Sequence, residues 1–173
     1  PKPKLISSKY HEIGNGLKNS HIQFEKNKTG RVAFLGGSIT HGRGWRDSIM
    51  DYLKHRFPKT KFDFIAAGIG SMGTTPAAFR LERDVLSKGP VDLLFEEAAV
   101  NDATNGRTNE EQIKAMEGIV RHVKQRNPAA DIVMMHFVDP DKINEYRAGK
   151  EPAVIRNHNM VANYYTISSI NLA

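Results

Sequence analysis

A chain of 173 residues with 39% hydrophobic and 25% charged residues has the size and composition of one globular domain with a substantial core. It holds no apolar run near the roughly 20 residues that a membrane span needs, and zero cysteines exclude disulfides and thiolate metal sites. The net charge of +6 comes from 25 Lys and Arg against 19 Asp and Glu spread along the chain, so a solvated basic surface is expected rather than a nucleic-acid partner.

Residues 1–30 are polar and weakly periodic, with Tyr10, Ile13, Leu17, Ile22 and Phe24 set among Lys, Asn, Ser and His. They read as an irregular lead-in segment or a small flanking layer, ending in the turn-like Asn27-Lys-Thr-Gly30. Pro1-Lys-Pro-Lys4 has neither an initiator Met nor an apolar signal core and reads as a processed or trimmed start. The compartment stays open, with secretion or the periplasm after signal removal slightly favoured over the cytoplasm.

Residues 31–173 then read as one domain. Val32, Ala33, Phe34 and Leu35 run unbroken into Gly36 and Gly37, as expected of a parallel strand covered on both faces. Ile49, Leu53 and Phe57 recur at helical spacing until Pro58. Residues 62–67 are a second strand, running into Gly68-Ile-Gly-Ser-Met-Gly73. Thr74, Thr75 and Pro76 start a helix through Phe79, Leu81, Val85 and Leu86. Residues 91–95 are the third strand, leading through Glu96 and Glu97 to Asn101 and Asp102. A capping-box-like Asn109-Glu-Glu-Gln112 opens a long helix with Ile113, Met116, Val120 and Val123 on one face. Residues 131–137 are the fourth strand, followed by a polar loop, a helix at 154–164 and a fifth strand beginning at 167–172. This alternation predicts right-handed β-α-β units in a three-layer α/β/α domain with parallel strand order 2-1-3-4-5.

In such a sheet the loops after strands one, two and three open on one edge, where ligands bind. They carry Ser38, the Gly70-Ser71 turn and Asn101. A serine hydroxyl there could attack an ester carbonyl. Backbone N–H groups at Ser38 and in the glycine-rich turn, with the Asn101 carboxamide, could donate to the resulting oxyanion. Taken singly these signals are weak, since Gly-Gly-Ser turns and isolated asparagines are more often structural. Trp45 could stack on a sugar ring or pack at the rim; Arg46 could bind an anionic substrate or bridge two elements; Gly70 could border the substrate. His41 lies near Ser38 but is expected to face solvent. His136 is expected to be packed or capped at a strand end, and His122 and His158 are expected on the surface. Glu96 and Glu97 read as hydrogen-bonded structural carboxylates. No His, Asp or Glu set has metal-ligand spacing, and no cofactor is called for.

Three blocks together are more specific. Gly36-Gly-Ser38, Ala66-Ala-Gly-Ile-Gly-Ser-Met-Gly73 and Ala99-Val-Asn-Asp102 resemble blocks I, II and III of the SGNH (GDSL-like) hydrolases. Gly37 stands where the namesake motif has Asp, Ser71 where block II has Gly, and Phe79-Arg80 to Val85 also fits. The resemblance covers residues 31–173 and is closest to bacterial members that act on acetylated or otherwise esterified carbohydrates. It implies a flavodoxin-like fold and a metal-free serine esterase, with Ser38 as nucleophile and Ser38, Ser71 and Asn101 around the oxyanion.

The family also carries an Asp-x-x-His block after the fifth strand, whereas this chain stops at Ala173. The resemblance therefore implies a catalytic His and Asp beyond that point and little turnover by residues 1–173 alone. A missing last helix would bare one face of the sheet beside the fifth strand, an apolar patch that favours self-association through the carboxyl-terminal edge or partial disorder. Two other classes remain: a non-catalytic carbohydrate- or ligand-binding module with the same cleft, and a nucleotide or flavin binder. The second is weakened because the loop from Gly36 to Gly44 matches neither phosphate-binding glycine pattern.

Overall fold

The computed structural model describes residues 6–172, so Pro1-Lys-Pro-Lys4 and Ala173 lie outside the described residues. In chain order the elements are β1 (His11–Glu12), α1 (Lys18–Ile22), β2 (Thr29–Gly36), α2 (Ser38–His41), α3 (Trp45–Arg56), β3 (Lys61–Gly68) and α4 (Thr74–Asp84). There follow β4 (Leu93–Glu97), α5 (Ala99–Thr104), α6 (Asn109–Arg126), β5 (Asp131–His136), α7 (Pro140–Arg147), α8 (Ala153–Tyr164) and β6 (Ser168–Asn171).

The six strands form one sheet in the order β1-β6-β5-β4-β2-β3. All pairings are parallel except the short antiparallel contact of β1 with β6. Setting β1 aside, this is the order 2-1-3-4-5 expected from the alternation. Strand residues pointing one way, among them Ala33, Leu35, Leu94, Ile132 and Met134, pack with Leu81 of α4, Met116 and Val120 of α6 and Val161 of α8. Those pointing the other way, Val32, Phe34, Leu93, Phe95, Val133 and Met135, pack with Leu53 and Ile49 of α3. Two buried faces are why these strands read as unbroken apolar runs rather than as alternation.

The register sets up the site. Gly36 at the end of β2 lies opposite Gly68 of β3 on one side and Glu97 of β4 on the other. Three turns therefore leave the sheet at one level and on one edge.

Several expectations need correction. Of the two readings of the segment before β2, the irregular lead-in gives way to the flanking layer, with α1 packed onto the domain. Phe24 is a core residue, meeting Phe57 and Phe62 edge-on at 5.5 and 5.0 Å between ring centres. Buried Asp131 accepts hydrogen bonds from the Ser20 amide and hydroxyl, both at 2.7 Å, and from Asn19 Nδ2 at 3.3 Å. Beyond β6 the sheet is extended by β1, a strand the alternation does not predict, through Glu12 with Ser169 and His11 with Ile170. Phe79 is 87% exposed, because α4 buries Ala77, Arg80 and Leu81 at helical spacing and Phe79 faces away from that stripe. The capping box of α6 starts one residue earlier, with Thr108 as the cap and Glu111 reaching back to it. The polar loop after β5 contains α7, capped by Asp139, whose side chain accepts from the Lys142 amide.

The tether at Asp131 is open to test. Removing a charged acceptor of three hydrogen bonds in Asp131→Ala is expected to cost about 2–3 kcal/mol of stability and to expose α1 to proteolysis. A denaturation midpoint and a cleavage pattern equal to those of the wild type would refute the tether.

Candidate active site

Ser38 is exposed and opens α2 directly after Gly37. Its hydroxyl has no hydrogen-bond partner among the described residues. The turn that carries it is tied down on several sides. Ile69 N–H donates to the Gly36 carbonyl at 3.0 Å, and so does buried Arg80 Nη2, also at 3.0 Å. His41 Nδ1 donates to the Gly68 carbonyl at 3.0 Å, joining the first turn to the second.

Asn101, in the first turn of α5, is only 9% exposed. Its Oδ1 is buried without a hydrogen-bond partner and lies against the Gly37 backbone, 2.0 Å from where a β-carbon on Gly37 would stand. Glycine is required there because the space a side chain would take belongs to Asn101. With the oxygen turned inward, the Asn101 Nδ2 is left without a protein partner among the described residues and is available to a ligand.

Ser71 adopts φ 62°, the left-handed conformation that glycine takes freely and that costs other residues about 1–2 kcal/mol. Asn105 Nδ2, one turn beyond Asn101, donates to the Ser71 carbonyl at 2.9 Å and secures that turn. Asp102 secures the same loop from beneath. Its carboxylate accepts from the Thr74 amide at 2.8 Å, the Thr74 hydroxyl at 2.6 Å and His158 Nε2 at 3.0 Å. A β-carbon on Gly73 would come within 2.1 Å of Asp102 Oδ1, so this cap also needs glycine. The turns of Ser38, Ser71 and Asn101 are thus laced together pairwise by named contacts.

The other residues singled out from the sequence are placed differently. Trp45 is half-buried; its ring packs with Phe34, Phe95 and Phe137 at 5.6, 6.1 and 5.7 Å between centres, and its Nε1 donates to the Ile39 carbonyl at 3.2 Å. It closes the aromatic layer over α2 rather than standing free as a stacking platform. Arg46 Nη1 donates to the Thr40 carbonyl at 3.2 Å and so bridges α2 and α3. A side chain at Gly70 would meet open space. His41 and His122 are exposed, as expected.

His158 is not a surface residue. Val154, Ile155, Val161 and Ala162 line the buried face of α8 at helical spacing, and His158 falls on that face, fully buried against Asp102. The same spacing is visible in the sequence and could have located it. His136, also buried, shares a 2.8 Å hydrogen bond with Asn159 and lies 5.8 Å from the His158 ring.

Below the turns therefore lies a layer of buried ionisable groups: Glu96, Glu97, Asp102, Arg80, His136 and His158. Burial pushes the Glu96 carboxyl well above the usual carboxylate range, helped by the nearby charges of Asp102 and Glu97 and opposed by Arg80. Burial raises Glu97 as well, against the pull of hydrogen bonds from Thr40 and Gly37. Burial first, and then the charge of His158, lowers His136 to about 4. Among the described residues no group of His, Asp and Glu is arranged to hold a metal ion.

His136 makes stability depend on pH. Its folded value lies below the usual 6.5, so the unfolded chain binds the extra proton between these limits and stability falls as pH drops from 6.5 towards 4. His136→Gln keeps a partner for Asn159 and removes this titration. The stability advantage of wild type over the variant is expected to shrink by about 2 kcal/mol between pH 7 and pH 5. Parallel denaturation curves at the two pH values check this, and a constant gap would refute it.

The fold has counterparts among known proteins. The GDSL-like lipase/acylhydrolase family profile matches residues 34–169. No curated protein sequence matches the chain. Among solved structures, a two-domain esterase active on acetylated mannans, co-crystallised with mannopentaose, is 27% identical with a TM-score of 0.75. That match covers 90% of this chain and 41% of the esterase, so the chain spans well under half the length of that relative. An acetylxylan esterase from Geobacillus stearothermophilus is similar in fold, at 16% identity and TM-score 0.63 over 80% of this chain and 74% of its own. A lipase/acylhydrolase from Enterococcus faecalis is likewise similar in fold, at 16% identity and TM-score 0.63 over 82% and 75%. With its three turns on one edge of a parallel sheet and a profile match over most of its length, the chain belongs to the GDSL-like lipase/acylhydrolase family.

Proposed function

We propose that the protein is a serine esterase that removes acyl groups, foremost acetyl, from esterified carbohydrate. The observation that carries this reading is the juxtaposition of an exposed Ser38 hydroxyl with an Asn101 amide whose oxygen is buried against Gly37 and whose NH2 is uncommitted. The carbohydrate class is supported by the likeness to the mannan-active esterase.

In this mechanism Ser38 Oγ attacks the acyl carbon, and the carbonyl oxygen gains the negative charge. The Ser38 N–H, the Ser71 N–H and Asn101 Nδ2 donate to that oxyanion in a site organised before substrate arrives. The alcohol leaves with a proton, and water then releases the acyl group from Ser38. Gly70, with nothing above it, gives the substrate room beside the second donor.

The attacking hydroxyl needs a proton acceptor. His41, His136 and His158 are hydrogen-bonded to Gly68, Asn159 and Asp102. None of the three is hydrogen-bonded to the Ser38 hydroxyl, and we assign the base to the Asp/His block that the family resemblance implies after β6. A small-molecule or carbohydrate ester is the expected partner.

Hydrolysis of p-nitrophenyl acetate and acetate release from acetylated mannan by the full-length protein test this reading. Ser38→Ala is expected to lower kcat/KM at least about 1000-fold, and Asn101→Ala about 100-fold. An unchanged rate in Ser38→Ala would remove the nucleophile assignment, whereas glycan binding without any turnover would mark a binding module.

Gly37→Ala probes the close approach. The added methyl displaces the Asn101 amide, so kcat is expected to fall about 100-fold, with about 1–3 kcal/mol of stability lost to overpacking. Full activity in that variant would show that Asn101 does not need its present position.

A further inference from the structure

A single helical turn such as α2 cannot hold its own direction in water. The direction must come from contacts, and most contacts here hold one carbonyl by one bond: Arg80 on Gly36, Trp45 on Ile39 and Arg46 on Thr40. Glu97 is different. It stands at the end of β4, the central strand next to β2, and is wholly buried. Its Oε2 accepts from the Gly37 N–H at 3.3 Å and from the Thr40 hydroxyl at 2.9 Å. These donors lie on either side of Ser38 in the chain.

We propose that Glu97 is a positioning residue for the nucleophile, gripping both ends of the Ser38 turn and so aiming the Ser38 hydroxyl and N–H. The proposal rests on the reading of Ser38 as the nucleophile.

The chemistry of the position supports it. Glu97 Oε1 is buried with no hydrogen-bond partner among the described residues. Burying a carboxyl in this way is unfavourable, and violations of that rule concentrate where a site demands them. Burial also favours the neutral carboxyl. A neutral group can hold the turn without setting a full negative charge beside the donors that must stabilise an oxyanion.

The test uses the full-length protein, p-nitrophenyl acetate kinetics and amide hydrogen exchange over residues 37–41. Glu97→Ala is expected to lower kcat about 100-fold with KM changed less than about threefold, and to speed exchange in that segment. Glu97→Gln, whose amide oxygen can accept both donors, is expected to recover at least about tenfold of that loss and to restore slow exchange. Thr40→Val, which removes one of the two donors, should fall between them.

A folded Glu97→Ala with wild-type kcat overturns the proposal, as does a Glu97→Gln no faster than Glu97→Ala. Should Glu97→Ala fail to fold, Thr40→Val decides, and a wild-type kcat there overturns it. Ser38→Ala measured alongside separates the two levels. Loss of activity in Ser38→Ala with no effect at Glu97 sinks only the positioning role, while wild-type hydrolysis by Ser38→Ala sinks the nucleophile reading and the positioning role together.

Discussion

Gly36 is held between Gly68 and Glu97 in the parallel ladder, and that register governs everything above it. Parallel strands all present their carboxyl ends to the same edge, so three consecutive β-α turns emerge side by side without any special device. What the sequence adds is the chemistry of the ends. Glycines at 36, 37 and 68 allow the turns to approach one another, and the Glu97 carboxyl from the neighbouring strand fills the gap beneath them. A shift of one residue in the register of β4 would turn Glu97 to the other face and bring Glu96 under the turn instead.

The turns are cross-braced rather than independent. Asn105 holds Ser71, Asp102 holds Thr74, and Asn101 fills the space over Gly37, so one short helix, α5, contacts both other turns. Asp102 passes the bracing on to α8 through His158, which joins the site to the helical layer beneath it. Neutralisation keeps this buried layer tolerable. Glu96 and Glu97 are pushed towards their uncharged forms and His136 towards neutral imidazole, while the guanidinium of Arg80 is paired with Asp84 at 3.0 Å.

The parts legible in the sequence were those set by local physics. An unbroken apolar run ended by glycine identified β2, the alternation of strands with helices led to the parallel sheet and its order, and the three glycine-, serine- and asparagine-bearing turns followed from that architecture. Longer-range facts were not legible. That residues 11 and 12 pair with β6 depends on where the far end of the chain lies, and two residues carry no detectable strand pattern. The anchoring of Ser20 by Asp131 joins positions with no local relation. His158 is the exception, because helical spacing in α8 places it inward although it lies on a helix remote from the strand ends. Ser71 is a further departure: its left-handed backbone is unfavourable for serine, and the hydrogen bond from Asn105 helps hold it there.

The antiparallel contact between β1 and β6 has a consequence for how the protein is made. On the ribosome β1 emerges before the other described strands and β6 after them, so their pairing waits until β2, β3, β4 and β5 have been synthesised. Closing so long a loop carries the largest entropic cost of any pairing in the sheet for a gain of only two residues. On loop length alone this seam is expected to be the last part of the sheet to zip during folding and the first to fray.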